Sequence, residues 1–185
     1  ENKYLIEGEH LISMAYDIEC IFTTDESYKN DKVTVYYVND AVLKKISFVQ
    51  SPQGIIAIVN KKKVEIDYSK NRYLLCDGVS DPGNMGTILR TADSLDIKQI
   101  IVSKGTADVY NLKVVRSTMG AIFRVKVIEV EDLTKTIREM KKNGTLPKKG
   151  AVVYLRGGDY GISEQIKLTK EDSGTETCPV TYCSY

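Results

Sequence analysis

The sequence predicts an α/β protein whose second part is built on a mostly parallel β-sheet. From Tyr73 onward, β-rich segments alternate with helical segments of about a dozen residues, which is typical of βαβ crossovers. The apolar share of 42% is sufficient for a buried core, and 185 residues accommodate one domain or two small ones. No run approaches the roughly 18 apolar residues of a membrane-spanning helix, so no membrane segment is expected.

Residues 1–60 predict a small α/β domain. Apolar patterning and turn residues place strands at 4–6, 21–22, 33–38 and 55–59, and helices at 8–17 and 40–46. Asn39 or Asp40 is expected to cap the second helix. The polar stretch 61–72 lacks apolar periodicity and is expected to be a linker, so a second domain is predicted over residues 73–185.

The second domain predicts a regular alternation of strands and helices. Strands are expected at 73–76, 99–102, 123–130 and 151–155, and helices at 84–95, 110–117 and 132–142. The first of these helices places Met85, Leu89 and Leu95 on its apolar face. Ligands of parallel sheets bind at the carboxyl ends of the strands, so functional residues are expected in the loops that follow them.

The formal net charge of +1 conceals an uneven distribution of charge. Residues 1–59 carry 5 basic and 9 acidic side chains, residues 60–150 carry 18 and 11, and residues 151–185 carry 3 and 5. A basic middle segment favours an anionic partner, of which nucleic acid is the commonest. The run Lys61–Lys63 is expected either to be a solvated linker or to add salt-sensitive phosphate contacts.

The four cysteines show no CxxC spacing, and the single histidine is not near them in a metal-ligand pattern. A zinc site is therefore not expected, and no other metal is implied. A disulfide framework is implausible at this cysteine density. The pattern favours a reducing, cytoplasmic compartment.

The most informative stretch is DGVSDPGNMGTILRTAD, from Asp77 to Asp93. It places a loop rich in glycine and proline before a helix that is expected to begin at Asn84, and the N–H groups at a helix start can hold an anion. At about 100° per residue, Arg90 points away from the apolar face of this helix. Either Asn84 is a cap and Arg90 a solvated surface residue, or the helix start and Arg90 serve an anionic ligand.

A dinucleotide-binding loop is not expected, because Gly83 and Gly86 are three residues apart and the GxGxxG spacing is absent. A nucleoside-triphosphate loop of the form GxxxxGK[ST] is absent as well.

The Asp77–Asp93 stretch resembles the first signature of the SpoU/TrmH-type RNA ribose 2′-O-methyltransferases, which belong to the knotted SPOUT superfamily. The resemblance lies in the Asp-Pro-x-Asn-x-Gly core and in the arginine six residues after its asparagine. The stretch VRSTMGAIF at 115–123 is similar to the next block of the family. Residues 4–59 resemble the substrate-binding domain often fused in front, with EGEHL at 7–11 and PQG at 52–54.

The resemblance implies an S-adenosylmethionine-dependent enzyme that methylates the ribose 2′-hydroxyl of RNA, with ribosomal RNA favoured over transfer RNA. Arg90 would bind the RNA phosphate and orient the hydroxyl, since a guanidinium is not deprotonated in proteins. Asn84 would hold the loop and the ribose. His10, Arg116 and Ser117 are candidate RNA contacts, for which ordinary packing or surface roles are the alternative.

The resemblance also implies a homodimer and a SPOUT-like domain whose C-terminal segment forms a trefoil knot. The methyl donor would lie against the knotted loops, where the matching positions of this sequence are Leu155, Gly157, Gly161 and Ile162.

The tail departs from the family pattern. Only Asp159 and Tyr160 separate the LRGG turn at 155–158 from Gly161, where the family has a further strand and a Gly-Asn-Glu-Gly loop. Pro179 stands where the family has an asparagine. Residues missing from the sequence or an incorrectly read tail are the favoured explanations, and a degenerate relative is the third, so knot formation and donor binding stay open.

Two functions from other classes also stay open. The altered tail favours a non-catalytic RNA-binding protein on the same scaffold. The third hypothesis is a homodimeric α/β protein that serves as an interaction module and binds no RNA.

Overall fold

In the computed structural model, strands and helices alternate along the residues that the structure describes, which are 2–47, 49, 52–148, 151–155 and 168–184. The strands are β1 (Lys3–Glu7), β2 (Ile18–Thr23), β3 (Thr34–Tyr37), β4 (Ile55–Asn60), β5 (Leu74–Cys76), β6 (Gln99–Ser103), β7 (Lys126–Val130), β8 (Ala151–Leu155) and β9 (Val180–Ser184). The helices are α1 (Glu9–Met14), α2 (Asp40–Ile46), α3 (Pro82–Ser94), α4 (Leu112–Ser117) and α5 (Leu133–Lys142), with a 3-10 helix at Ala121–Phe123. No helix among these residues combines the length and the apolar character needed to cross a membrane.

The first sheet has the strand order β1-β4-β2-β3. β4 pairs antiparallel with β1 and β2, whereas β3 lies parallel to β2. The central position of β4 explains its apolar run, because Ile55, Ile56 and Ala57 are almost inaccessible to solvent. The Asn39 side chain caps α2 by accepting a hydrogen bond from the Val42 N–H at 2.9 Å, as the sequence predicts.

The second sheet confirms the predicted parallel arrangement. β5, β6 and β7 pair in that order, all in parallel. α3 crosses over from β5 to β6, and α4 with the 3-10 helix crosses over from β6 to β7. The carboxyl ends of β5 and β6, at Cys76 and Ser103, therefore lie at the same edge of the sheet.

β8 pairs in parallel with β9, a strand that the sequence analysis missed. The chain before β9 packs on α5, where Arg138 donates two hydrogen bonds to the Asp172 carboxylate at 2.6 and 2.7 Å. Lys141 of α5 donates to the backbone carbonyl of Lys170 at 3.0 Å. Residues 156–167, which belong to the C-terminal segment where the knot is predicted, lie outside the described residues.

The predicted start of α3 is wrong by two residues, because the helix begins at Pro82 and not at Asn84. The Asp81 carboxylate caps the helix by accepting a hydrogen bond from the Asn84 N–H at 2.7 Å. A proline in the first turn needs no hydrogen-bond donor and has a φ suited to the helix, so Asp81-Pro82 forms a strong start.

Other predicted boundaries are also corrected by backbone geometry. Gly120 has a φ of +87° and begins the 3-10 helix, so the strand predicted at 123–130 starts only at Lys126. Leu95, predicted on the apolar face of α3, follows the end of the helix and is 57% exposed. The helix predicted at 110–117 begins at Leu112, because Asn111 is its cap.

The stretch 61–73 is fixed to the rest of the molecule, although it contains no helix or strand. The amide of Gln99, which is 1% exposed, accepts from the Asp67 N–H at 2.7 Å and donates to the Asp67 carbonyl at 3.0 Å. Lys61 lies over the ring of Tyr110 at 4.6 Å, and Lys62 lies over that of Tyr16 at 3.5 Å. Two of the three lysines thus make cation–π contacts, which the prediction of a solvated run did not foresee.

Buried side chains from both parts of the chain belong to one hydrophobic core. Ile6 and Val59 of the first sheet share it with Leu89 of α3 and Val114 of α4. At the junction, Arg124 donates to the Asp93 carboxylate at 2.8 Å and contacts the Met14 sulfur at 3.8 Å. The position of α3 is therefore set by packing on both sides.

α3 and α4 approach each other closely at Gly86. A Cβ atom added to Gly86 would lie 1.7 Å from Oγ and 2.6 Å from Cβ of Ser117, distances that real atoms do not adopt. The glycine in the middle of α3 is therefore required by packing, which outweighs its low helix propensity.

We expect Gly86→Ala to destabilise the protein by about 1–3 kcal/mol, because the added methyl forces α4 away from α3. At an uncrowded helix position the same change would stabilise by up to about 1 kcal/mol. Urea denaturation followed by circular dichroism measures the difference.

A double-mutant cycle provides the control for this prediction. Gly86→Ala combined with Ser117→Gly should recover about 1 kcal/mol or more relative to the sum of the single changes. Thr87→Ala, at an exposed neighbouring position of α3, should leave stability level or raise it. If the Gly86→Ala protein were as stable as the original chain, this would contradict the close approach of α4 to α3 at Gly86.

We expect the Asp93 carboxylate to make a contribution to stability that depends on pH. Hydrogen bonds from Arg124, and secondarily from Lys98, hold the pKa of Asp93 below its usual value. This contribution is present above the unfolded-state pKa of about 3.9 and is lost as the pH falls through the lower folded-state pKa. Asp93→Asn should therefore reduce stability by about 1 kcal/mol at neutral pH, and the difference should shrink below about pH 4.

The matched control is Asp96→Asn. Asp96 contacts the same lysine, Lys98, at 3.2 Å, but its side chain is 77% exposed. We expect little change in stability from this variant at either pH. A difference for Asp93→Asn that grows as the pH falls would contradict the stated direction of the pKa shift.

Candidate active site

The loop between β5 and α3 is attached to the carboxyl end of β6. Asp77 accepts a hydrogen bond from the Ser103 hydroxyl at 2.5 Å, and the same hydroxyl accepts from the Gly78 N–H at 3.0 Å. The Ala107 N–H donates to the Val79 carbonyl at 2.8 Å. The loop is therefore held in one conformation ahead of α3, at the sheet edge where a ligand is expected.

The start of α3 leaves the Asn84 side chain available. Because Asp81 is the cap, only the backbone N–H of Asn84 takes part in capping, and its side chain is exposed. The Thr87 hydroxyl donates a hydrogen bond to the Gly83 carbonyl at 3.0 Å, within the helix. The interpretation of Asn84 as an N-cap is wrong, and its amide group can bind a ligand.

Arg90 lies on the solvent-facing side of α3, one turn after Gly86. Its side chain is exposed, and no described residue forms an ion pair or a hydrogen bond with it. Arg124 and Arg138, in contrast, are paired with the carboxylates of Asp93 and Asp172. The guanidinium of Arg90 thus keeps its hydrogen-bond donors available for an external anion.

Arg116 and Ser117, the predicted RNA contacts at the end of α4, lie beside the first turns of α3. Ser117 packs on Gly86 and donates its hydroxyl to the Val114 carbonyl at 2.8 Å, so this group is already used inside the protein. Arg116 is half-buried, and its guanidinium has no partner in the described part of the chain. The third predicted contact, His10, is exposed on α1, whose main contacts are with β1 and β4 and not with α3.

Of the predicted donor-binding positions, the structure describes only Leu155. Leu155 is the last residue of β8 and pairs in register with Ser184 of β9. Gly157, Gly161 and Ile162 lie outside the described residues. Among the residues that the structure does describe, no group of acidic, histidine or cysteine side chains could hold a metal ion.

A cavity of about 450 Å³ lies between α5 and the chain that precedes β9. Its lining includes Lys141, Leu146, Lys148 and Cys178. The lining residues precede β8 or β9 in the chain, and Leu155, the predicted donor position that the structure describes, is not among them.

Sequence reasoning missed the residues that hold the site in place. Asp77 and Asp93 stand at the two ends of the signature stretch, and each is bonded to a residue distant in sequence, Ser103 or Arg124. The available signal in the sequence was the presence of a carboxylate at each end of the signature stretch, which could have indicated that these residues hold it in place. Their partners could not be named without the fold.

Two family models match this chain. Residues 71–152 match the SpoU rRNA methylase family, and residues 1–57 match the MRM3-like substrate binding domain.

Full-length relatives agree with these matches. Over 151 residues, or 77% of this chain, the sequence is 31% identical to the 23S rRNA (guanosine(2553)-2′-O)-methyltransferase RlmP of Bacillus subtilis, of which it covers 60%. Over 147 residues, or 69% of this chain, it is 34% identical to the mitochondrial rRNA methyltransferase 3 of Homo sapiens, of which it covers 35%. The chain therefore spans only part of the length of these relatives.

Solved structures share the fold. A TrmH-family protein from Porphyromonas gingivalis superposes with a TM-score of 0.71 at 26% identity, over 99% of this chain and 72% of that chain. The SpoU methyltransferase AviRb from Streptomyces viridochromogenes, in complex with the cofactor AdoMet, gives a TM-score of 0.70 at 21% identity over 98% of this chain and 72% of that chain. Residues 71–152 thus belong to the SpoU rRNA methylase family by their family-model match, and residues 1–57, in front of them, to the MRM3-like substrate binding domain.

Proposed function

We propose that this protein transfers a methyl group from S-adenosylmethionine to a ribose 2′-hydroxyl of RNA, with ribosomal RNA as the favoured substrate. The observation that carries the proposal is the exposed guanidinium of Arg90, which has no partner among the described residues, whereas Arg124 and Arg138 are paired with carboxylates. The names of the relatives as rRNA methyltransferases support the choice of substrate.

The chemistry requires alignment more than an unusual catalytic group. The guanidinium of Arg90 binds a phosphate of the RNA through parallel hydrogen bonds, which fixes the adjacent ribose and its 2′-hydroxyl. Arg90 remains protonated throughout, so it orients the hydroxyl and does not remove its proton. The exposed amide of Asn84, on the first turn of the same helix, adds a hydrogen bond to the ribose.

The donor, when bound, supplies an electrophilic methyl group on a sulfonium. Leu155, Gly157, Gly161 and Ile162 are the residues proposed to hold it, at and after the carboxyl end of β8. Glycines at such positions let the backbone approach a ligand closely.

The wider organisation is proposed on the same basis. Residues 1–60 bind RNA, and residues 73–185 form the methyltransferase domain with its knot. Residues 61–72 are the linker between these two domains. The acting form is a homodimer in the cytoplasm. Arg116 and His10 add RNA contacts, whereas Ser117 positions α4 against α3.

Arg90→Ala should lower kcat/KM for methyl transfer to RNA by about 10²–10³-fold, because a charge-assisted contact that aligns the acceptor is lost. The measurement uses radiolabelled S-adenosylmethionine and deproteinised ribosomal RNA. Arg90→Lys keeps the charge but loses the planar pair of donors, so it should recover only part of the rate.

Lys135→Ala, which removes an exposed cation from α5, is the matched control and should leave the rate unchanged. Binding of S-adenosylmethionine, measured by calorimetry, should be the same for Arg90→Ala and the original chain. Equal transfer rates for Arg90→Ala and Lys135→Ala would contradict the proposed role.

The same measurements separate the enzyme from a non-catalytic RNA-binding protein. The proposal expects calorimetric binding of S-adenosylmethionine and transfer that depends on Arg90. Salt-dependent RNA binding without donor binding or transfer would favour the non-catalytic function instead.

A further inference from the structure

The segment between α4 and the 3-10 helix is clamped at both ends. At its start, Ser117 packs against Gly86 of α3. At its end, Gly120 lies so close to α1 that an added Cβ would be 2.3 Å from the terminal methyl of Met14. Thr118, between the two contacts, is fully buried. The conformation of this segment is therefore dictated by its surroundings.

Met119 is the exposed residue of this clamped segment. Its φ is +51°, in the left-handed region that side chains other than asparagine and glycine rarely adopt. Its side chain is 56% exposed, so apolar burial does not offset the unfavourable backbone conformation. A strained residue that presents a large apolar side chain to solvent suggests a role outside folding.

The two helices that meet in front of Met119, α3 and α4, each carry an arginine. Arg90 lies one helical turn after Gly86, the residue of α3 that packs on α4. Its side chain therefore leaves α3 beside the face that contacts α4. Arg116 lies three residues before Met119, in the last turn of α4. Neither guanidinium is paired within the part of the chain that the structure describes. An exposed apolar side chain after two packed helices that carry these guanidinium groups matches a nucleotide, which combines a flat apolar base with an anionic phosphate.

We propose that Met119 packs against the face of an unpaired RNA base, at the nucleotide whose phosphate Arg90 binds. This inference rests on the proposed function and adds the group that recognises the base. The thioether side chain is polarisable and flexible, so it can cover any base without reading its hydrogen-bonding edge. Single-stranded nucleotides expose such faces, whereas paired and stacked ones do not.

Met119→Asn tests the proposal, because asparagine accepts the left-handed conformation but removes the apolar side chain. Binding is measured by fluorescence anisotropy with a mixed-sequence single-stranded RNA oligonucleotide and with an abasic oligonucleotide of the same length. For the RNA, Kd should rise about fivefold in Met119→Asn, at the lower end of what base stacking contributes. For the abasic probe, Kd should be unchanged.

Leu95→Asn is the matched control, since Leu95 is 57% exposed but lies outside the left-handed region. It should bind both probes like the original chain. The Tm of Met119→Asn should stay level or rise. Unchanged RNA binding, an equal loss on both probes, or a lower Tm would each overturn the proposal, the last because Met119 would then serve stability.

A separate arm distinguishes this inference from the proposed function. Arg90→Ala should raise Kd for both probes, because both carry phosphates. If Arg90→Ala has this effect and Met119→Asn does not weaken RNA binding, only the role of Met119 fails. If Met119→Asn lowers the molecular mass measured by sedimentation, the exposed side chain belongs to an interface between copies of this chain and the proposal is overturned.

Discussion

The contact between Gly86 of α3 and Ser117 of α4 is the constraint on which the candidate site depends. No side chain fits at position 86, so the rotation of α3 about its axis is set by this approach. The capping carboxylate of Asp81 sets where the helix begins. Together they decide that Leu89 points into the core and that Arg90 points to solvent. The direction of one arginine therefore follows from backbone packing and not from a bond to its own side chain.

The contrast between Arg90 and the paired arginines Arg124 and Arg138 gives the arrangement its chemical meaning. Arg124 joins the end of α3 to the 3-10 helix through Asp93, and Arg138 holds the chain before β9 through Asp172. Both neutralise carboxylates inside the fold and contribute to its geometry. Arg90 is exposed, and no described residue neutralises it. A cation presented in this way, on the helix against which Ser117 packs, suits a ligand that carries its own negative charge.

The sequence predicted most of the fold because the elements of both sheets are local and strongly patterned. β4 could be recognised from its apolar run and α2 from its cap at Asn39. β9 could not, because it is defined by its pairing with β8, which lies far from it in the sequence. For the site, the signature identified the exposed arginine, while Met119 was missed because its left-handed conformation arises from contacts at both ends of its segment. Contacts between residues far apart in sequence leave no local pattern to read.

The most direct test of the central claim is a crystal structure of the protein with an RNA oligonucleotide that it methylates. We expect a phosphate oxygen within about 2.7–2.9 Å of the Arg90 guanidinium, with the neighbouring ribose 2′-hydroxyl facing the carboxyl end of β8. A complex in which Arg90 pairs with a protein carboxylate, or in which the ribose is held at another part of the surface, would contradict it.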